Sequence, residues 1–336
     1  MEVFFPAYYH GFRCLAGSCP DSCCKEWTVD VDPDAARQYR QLDGPLGDRL
    51  RQVLVDTEDG TVMEIENGRC PMWRQDGLCR IQAELGHDAL CKTCREFPRL
   101  THDYGNFVEL GLELSCPEAA RLILSSPGGL LVQAQPGGSE PEYDPEIMDI
   151  LRRSRKEALC FLKNAENIPD ALAAILLYAH DVQAVIDGDS DLCSTPEECL
   201  PEIENFRGNG DLAGIFEFFQ TLEILTPQWQ QMLSATPASI HWSKPLGNLA
   251  SYLFTRYWLQ AISDYDLISR VKLAITACLL VGALAGDITE TAQLFSKEIE
   301  NDPDNVDAIL DGAYTSPVLT DTNLLALLTK GYGYEH

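Results

Sequence analysis

Cys14-Leu-Ala-Gly-Ser-Cys19-Pro-Asp-Ser-Cys23-Cys24 sets four cysteines in a C-x4-C-x3-C-C pattern near the start of the chain. Cys70, Cys79, the pair Cys91-Lys-Thr-Cys94, and Cys116 follow, so nine of the thirteen cysteines lie in the first 116 residues. Tetrahedral zinc and iron–sulfur clusters both need soft thiolates converging on one point, and close pairs supply them two at a time at small chain-closure cost. Gly11, Gly17, Pro20, Gly68, Pro71, Gly77 and Gly86 stand nearby, where tight turns bring sulfurs together. A single C-x-x-C would carry little. Several pairs together read as a cysteine-ligated metal site, with disulfides or thioredoxin-type use of Cys91 and Cys94 as the alternatives.

The stretch Met1-Glu-Val-Phe-Phe-Pro6 lacks the basic region, long apolar run and small-residue cleavage site of a secretory signal, so a cytoplasmic protein is expected. Stable disulfides are rare in a reducing cytosol, and both thirteen and nine are odd, which favours metal ligation. Cys160, Cys193, Cys199 and Cys278 stand apart and read as small buried hydrophobes. His10, His87 and His102 are the histidines near the cluster, and each reads as a surface or satisfied core residue.

The net charge of −27 excludes a protein that coats nucleic acid, whose phosphates demand a basic surface. Residues 1–124 hold 13 Lys+Arg against 21 Asp+Glu, leaving −19 for the remainder. Such acidity suits a partner that offers positive groups, or serves only solubility. The longest apolar run, Leu273 to Ala285, is too short to span a bilayer, so no membrane partner is expected.

The expected fold is mainly α, with a cysteine-rich metal-binding N-terminal module of short strands over residues 1–124 and an all-α helical domain over 145–336. Asp32-Pro33 opens a helix, Thr61 to Glu66 and Val108 to Leu114 read as strands, and Cys116-Pro117 starts the helix Glu118 to Leu124. Seven Gly and Pro residues between Ser125 and Asp144 mark a linker over 125–144. Beyond it, helical spacing covers Pro145–Ala165, Pro169–Asp187, Ala213–Leu225, Pro227–Leu233, Leu246–Ile262, Leu267–Ala285 and Thr289–Glu300, with shorter pieces to Lys330 and the centre at Gly247 to Ala285. Gly208 to Gly214 has no preceding strand and reads as a turn between helices rather than a phosphate cradle.

The run Phe12 to Trp27, then Cys70-Pro71, Leu78-Cys79-Arg-Ile81-Gln82, Leu85-Gly86, Leu90-Cys91-Lys-Thr93-Cys94-Arg-Glu-Phe97-Pro98-Arg99 and Leu114-Ser115-Cys116-Pro117-Glu118-Ala119-Ala120-Arg121 resembles the flagellin lysine N-methylases. The cysteine core is also similar to the wider group of zinc- or iron-chelating CxxCxxCC proteins. Tyr252-Leu-Phe254-Thr-Arg256-Tyr257 and Asp266-Leu-Ile-Ser-Arg270-Val271-Lys272 extend the resemblance through the helical part. It implies an S-adenosyl-L-methionine-dependent protein-lysine N-methyltransferase acting on flagellin and carrying a 4Fe-4S cluster. Cys14, Cys19, Cys23, Cys24, Cys70, Cys79, Cys91, Cys94 and Cys116 are then its candidate ligands, and no C-x3-C-x2-C triad of the radical S-adenosylmethionine type is present.

From the residues themselves, methyl transfer to an amine needs a neutral lysine, a linear approach and an anionic or aromatic environment. Tyr8, Tyr9, Trp27, Trp73, Tyr104, Asp30, Asp32, Glu109, Glu113 and Glu118 are of the right types, and each also reads as core aromatic or solvated carboxylate. A zinc-binding structural or adaptor protein and an iron–sulfur redox protein are the competing functions.

Overall fold

The computed structural model describes residues 1–25, 28–126, 129–191 and 193–330. Its strands are β1 (Glu2–Pro6), β2 (Val29–Val31), β3 (Leu54–Asp56), β4 (Thr61–Met63), β5 (Arg99–Asp103), β6 (Phe107–Leu112) and β7 (Leu130–Ala134). Its α-helices are α1 (Pro33–Gln41), α2 (Gly44–Val53), α3 (Arg80–Leu85), α4 (Lys92–Glu96), α5 (Pro117–Ser125), α6 (Pro145–Asn164), α7 (Ile168–Ile186), α8 (Pro196–Cys199), α9 (Leu212–Phe219), α10 (Pro227–Leu233), α11 (Lys244–Tyr257), α12 (Ile268–Ala283), α13 (Ile288–Phe295), α14 (Pro303–Thr315) and α15 (Asp321–Thr329). The protein is mainly α, with short strands confined to its first 134 residues.

Two compact units result. One joins Met1–Gly11, Thr101–Ser115 and the chain from Ala119 onward, and the other holds Phe12–Leu100 with Cys116–Glu118. This division differs from the boundary expected over 125–144, and strand pairing is the reason. β1 runs parallel to β6, with Val3 opposite Val108, and antiparallel to β7, with Phe4 opposite Val132. The stretch read as a linker therefore contributes β7, and the first residues of the chain join the helical part through a sheet ordered β5-β6-β1-β7.

In the larger unit the helices start where capping chemistry dictates. Asp144, Thr226 and Asp302 each precede a proline at the first helical turn and accept backbone N–H bonds from residues two or three further on. α12 is buried on almost every face, as a helix central to an all-helical core must be. Gly208 to Asp211 lies between a 3-10 segment ending at Phe206 and α9, whose first turn holds Gly214, and a Cβ at Gly210 would stand 2.4 Å from Leu327, so glycine there allows close packing.

The smaller unit has its own sheet, ordered β2-β4-β3, with Val29 opposite Met63 and Val55 opposite Val62. Asp32 caps α1 as expected, accepting from Ala35 N at 3.0 Å. Val29, Val31, Tyr39, Leu50 and Met72 line a core into which Cys70 and Cys91 are buried and against which Cys24, Cys79 and Cys94 pack.

Candidate functional site

Backbone bonds draw the cysteines of the smaller unit together. Cys70 N donates to Cys24 O at 2.7 Å, Arg80 N to Met72 O at 2.7 Å, and Trp73 bridges to Cys79. Asp32 also accepts from Lys92 N at 2.7 Å, which fixes the start of α4 and Cys91 beside it, and this N–H is the main reason its carboxyl lies below the usual range. Tyr39 donates to Ala89 O at 2.7 Å from the same helix that Asp32 caps.

The result is a region shared by six thiols. Cys94 donates to Cys91 and Cys23 to Cys24, and the charge of each sulfur is felt by several others: Cys24 and Cys70 act on Cys94, and Cys23, Cys79 and Cys91 act on Cys70. The bond from Cys94 lowers Cys91 to about 7, while Cys94 itself is pushed up by that bond and by burial. Burial raises Cys70 to about 11 and also raises Cys79. Cys14 and Cys19 lie near each other, with Cys19 raised by burial. Cys116 belongs to the same unit through Cys116–Glu118.

All thirteen cysteines are free thiols, and the donors are of the type that zinc or iron–sulfur groups take. Their positions are pairwise. Among the described residues no group of three or more His, Cys, Asp or Glu side chains is arranged to hold a metal ion. The donor chemistry fits a soft metal, and the spacing would have to tighten around it.

The larger unit contains a buried ionic cluster that sequence reasoning did not assemble. Glu300, on the π-helical turn Ser296–Glu300, has a side chain 1% exposed and lies 3.1 Å from Arg256 Nε. Tyr257 donates to Glu300 at 3.1 Å and Tyr252 at 3.4 Å, while Leu114 N and Arg256 Nη1 donate to the Tyr252 hydroxyl. Burial pulls the Arg256 pKa down, and Tyr252, Tyr257, Glu300 and Glu113 more than reverse it. The motif Tyr252-Leu-Phe254-Thr-Arg256-Tyr257 supplied three members, but Glu300 stands 44 positions beyond Arg256 in a stretch whose helical spacing gave no hint of a partner.

The remaining candidates separate by what they touch. Glu109 pairs with Arg155 through both carboxylate oxygens, one at 2.8 Å, with both side chains buried. Glu113 accepts from Ser115 at 3.3 Å and burial raises its pKa, and Glu118 is buried. Trp73 already carries the Arg69 guanidinium 3.9 Å above its ring. Tyr9 packs on Phe5 and His10, Tyr104 on Phe107, and Tyr8 lines a cavity of about 10 Å³ with Tyr252, room for one water. Asp30 is exposed. Trp27 lies outside the described residues. His10 and His87 are on the surface, whereas His102 Nε2 is buried without a hydrogen-bond partner among the described residues, and burial lowers its pKa.

Cys199 and Cys278 are buried as expected. Cys160 and Cys193 are exposed, because Cys160 falls on the outer side of α6 and Cys193 in the loop before α8.

A mainly helical protein with a separate thiol-rich unit is the class that this architecture defines. Among known proteins the chain is similar to the Flagellar biosynthetic protein FliU of Salmonella muenchen, 29% identical over 174 residues, or 48% of this chain and 98% of that protein. It is also similar to the Lysine-N-methylases of Salmonella typhimurium and Salmonella choleraesuis, 32% identical over 143 residues in each case. That match covers 39% of this chain and 34% of each relative, so it spans about a third of their length. The resemblance to flagellin lysine N-methylases therefore rests on named relatives as well as on the cysteine pattern. No family model matches the chain, and no solved structure does. No helix among the described residues is long and apolar enough to cross a membrane.

Proposed function

We propose that this protein is a cytoplasmic methyltransferase that moves a methyl group from S-adenosyl-L-methionine to lysine ε-amino groups of flagellin. The observation that carries the reading is the similarity to lysine-N-methylases and to a flagellar biosynthetic protein. In the transfer the neutral amine forms an N–C bond as the methyl–sulfur bond breaks. S-adenosylhomocysteine leaves as a neutral thioether, and the methylated ammonium then sheds its proton. The chain's acidity favours encounter with a lysine-bearing surface.

The nine N-terminal cysteines are proposed as the source of ligands for a 4Fe-4S cluster, with Cys23, Cys24, Cys70, Cys79, Cys91 and Cys94 best placed. When bound, the cluster would supply compact positive iron and tie these segments together. The chain's own part is to hold these segments together, which the bonds from Cys70 N, Arg80 N and Lys92 N do, with Cys70 and Cys91 buried and Cys23 exposed. A structural zinc site is the second reading. The hydrogen-bonded pairs Cys23–Cys24 and Cys91–Cys94 together offer four thiolates, the number that tetrahedral zinc takes.

Anaerobic purification with iron, acid-labile sulfide and zinc counted per chain separates the two metals. Incubation of the metal-replete protein with labelled S-adenosyl-L-methionine and flagellin tests the activity. Label on flagellin lysines is the expected result, and an unlabelled flagellin would sink the proposal.

A further inference from the structure

Within the larger unit, the turn joining β5 to β6, the segment leading into α6 and the segment 262–265 enclose an open cavity of about 610 Å³. Asp103, Glu140, Glu142 and Asp144 line it with four carboxylates, and Tyr104, Tyr143 and Tyr265 line it with three rings. Lys, Arg and His do not contribute to its lining. The frame is well tied: Ser139 N donates to Gly105 O at 2.9 Å, and Gly105 has φ +82° with space for no side chain beyond hydrogen, since a Cβ would stand 3.1 Å from Glu140 O. Asp103 accepts from Gly105 N and Asp144 from Glu146 N, each at 2.8 Å, so two of the acids are fixed. Glu140 and Glu142 are exposed and free to meet a ligand.

The rings are set for a cation. Tyr104 rests one face on Phe107, centroids 4.7 Å apart, and meets Tyr143 at 6.4 Å with planes at 78°, so the two make a corner. Tyr143 donates to Asn106 Oδ1 at 2.6 Å, which holds its ring. Tyr265 is 47% exposed, and its backbone is pinned by Ala261 O and by Gln183 Nε2, both at 2.7 Å. Aromatic faces beside carboxylates bind ammonium groups through the ring quadrupole and through charge. The nearby arginines Arg152, over Phe4 and Phe107, and Arg270, paired with Asp264 at 2.9 Å, do not line the groove, and its four carboxylates outnumber them.

We infer that this groove binds a lysine-bearing segment of a partner protein, its ammonium over the tyrosines and its flanking backbone along the mouth. Four carboxylates repel a phosphate or nucleic acid, and a cavity of this volume exceeds what one free ammonium fills. The inference rests on the methyltransferase reading for the identity of the partner, and it adds the place where that partner docks.

The test is fluorescence anisotropy of a labelled synthetic peptide of glycine, serine and lysine against the full chain, at low and high salt. Binding that weakens with salt is expected, because exposed charges are screened. The double variant Glu140→Gln, Glu142→Gln should bind roughly five-fold more weakly and Tyr265→Ala roughly three-fold more weakly, with Tyr265→Phe unchanged. Circular dichroism of each variant, matching that of the native chain, confirms folding. No binding by the native chain, equal binding by the double variant, or displacement by free spermidine at the peptide's own concentration would each overturn the inference. Labelled methyl transfer in parallel separates the two readings. Weakened binding in the variants with no transfer by the native chain leaves the groove and removes the methyltransferase. Transfer whose KM is the same in native and variant proteins leaves the methyltransferase and removes the groove.

Discussion

The two units solve the problem of an interior in different ways. In the larger, α7, α11 and α12 bury Ala, Leu, Ile and Tyr, and buried charges are paired in Glu109–Arg155 and Arg256–Glu300. In the smaller, five cysteines line or flank a modest core whose helices are short. Apolar burial at about 25 cal/mol per Å² holds the first, whereas the smaller core of the second has less area to draw on, and the metal proposed for its sulfurs would add to it.

The largest expected effect is in the smaller unit. With the proposed metal bound, stripping it, or replacing both Cys91 and Cys94 by serine, should cost that unit on the order of 10 kcal/mol, because binding energy is folding energy in such sites. Hydrogen exchange would show amides of β2, β4 and α1 losing protection while α12 stays protected. If both units lost protection together, or neither did, the contrast would fail.

Next comes the buried ion cluster. Glu300→Gln leaves Arg256 uncompensated in a dry site and should cost about 3–5 kcal/mol in denaturant unfolding. Adding Arg256→Leu should recover part of that loss, a sign that unpaired charge and not lost packing is the cause. Leu279→Ala in the centre of α12 should cost about 3 kcal/mol through transfer and cavity terms. The same assay checks it.

The smallest is Asp32→Ala, about 1 kcal/mol for a lost helix cap, felt only in the smaller unit. The Asp32 pKa is lower in the folded protein than in the unfolded chain. Its contribution is therefore full above the unfolded value of about 3.9 and disappears as pH falls through the folded value. A pH series of melts should show native and variant proteins converging only in that acid range.

Much of this was legible from local chemistry. Asp32-Pro33 announced α1, the alternation from Val108 announced β6, and the helices expected between Pro145 and Glu300 begin within two residues of their expected starts, while α14, 13 residues long, was expected only as a shorter piece. Long-range pairing was not legible. Leu130–Ala134 sits among glycines and prolines without clean alternation, and only its partner β1, far back in the chain, makes it a strand. Glu300 looked like any solvated acid at the end of a helix until Arg256, Tyr252 and Tyr257 closed around it. For the candidate site, the cysteine types and spacing were readable, and six thiols lie within electrostatic reach of one another in pairs, with no group of three set for a metal among the described residues. The local pairs Cys23–Cys24 and Cys91–Cys94 follow from spacing, whereas the bond from Lys92 N to Asp32, 60 positions earlier, which fixes the start of α4, is encoded by no spacing rule.

The place of β1 has a consequence for the order of synthesis. It lies between β6 and β7, so both of its edges wait for strands that the ribosome makes only after Phe12–Leu100, nearly all of the cysteine-rich unit, has been made. Through that interval Val3, Phe4 and Phe5 form an apolar strand with unsatisfied backbone on either side, the kind of segment that invites misassociation. Rapid closure of the smaller unit would shorten the chain over which Thr101–Ser115 must find that strand. Folding of the cysteine-rich segment then bears on the yield of the helical unit, although none of the thiols belongs to the sheet that β1 completes.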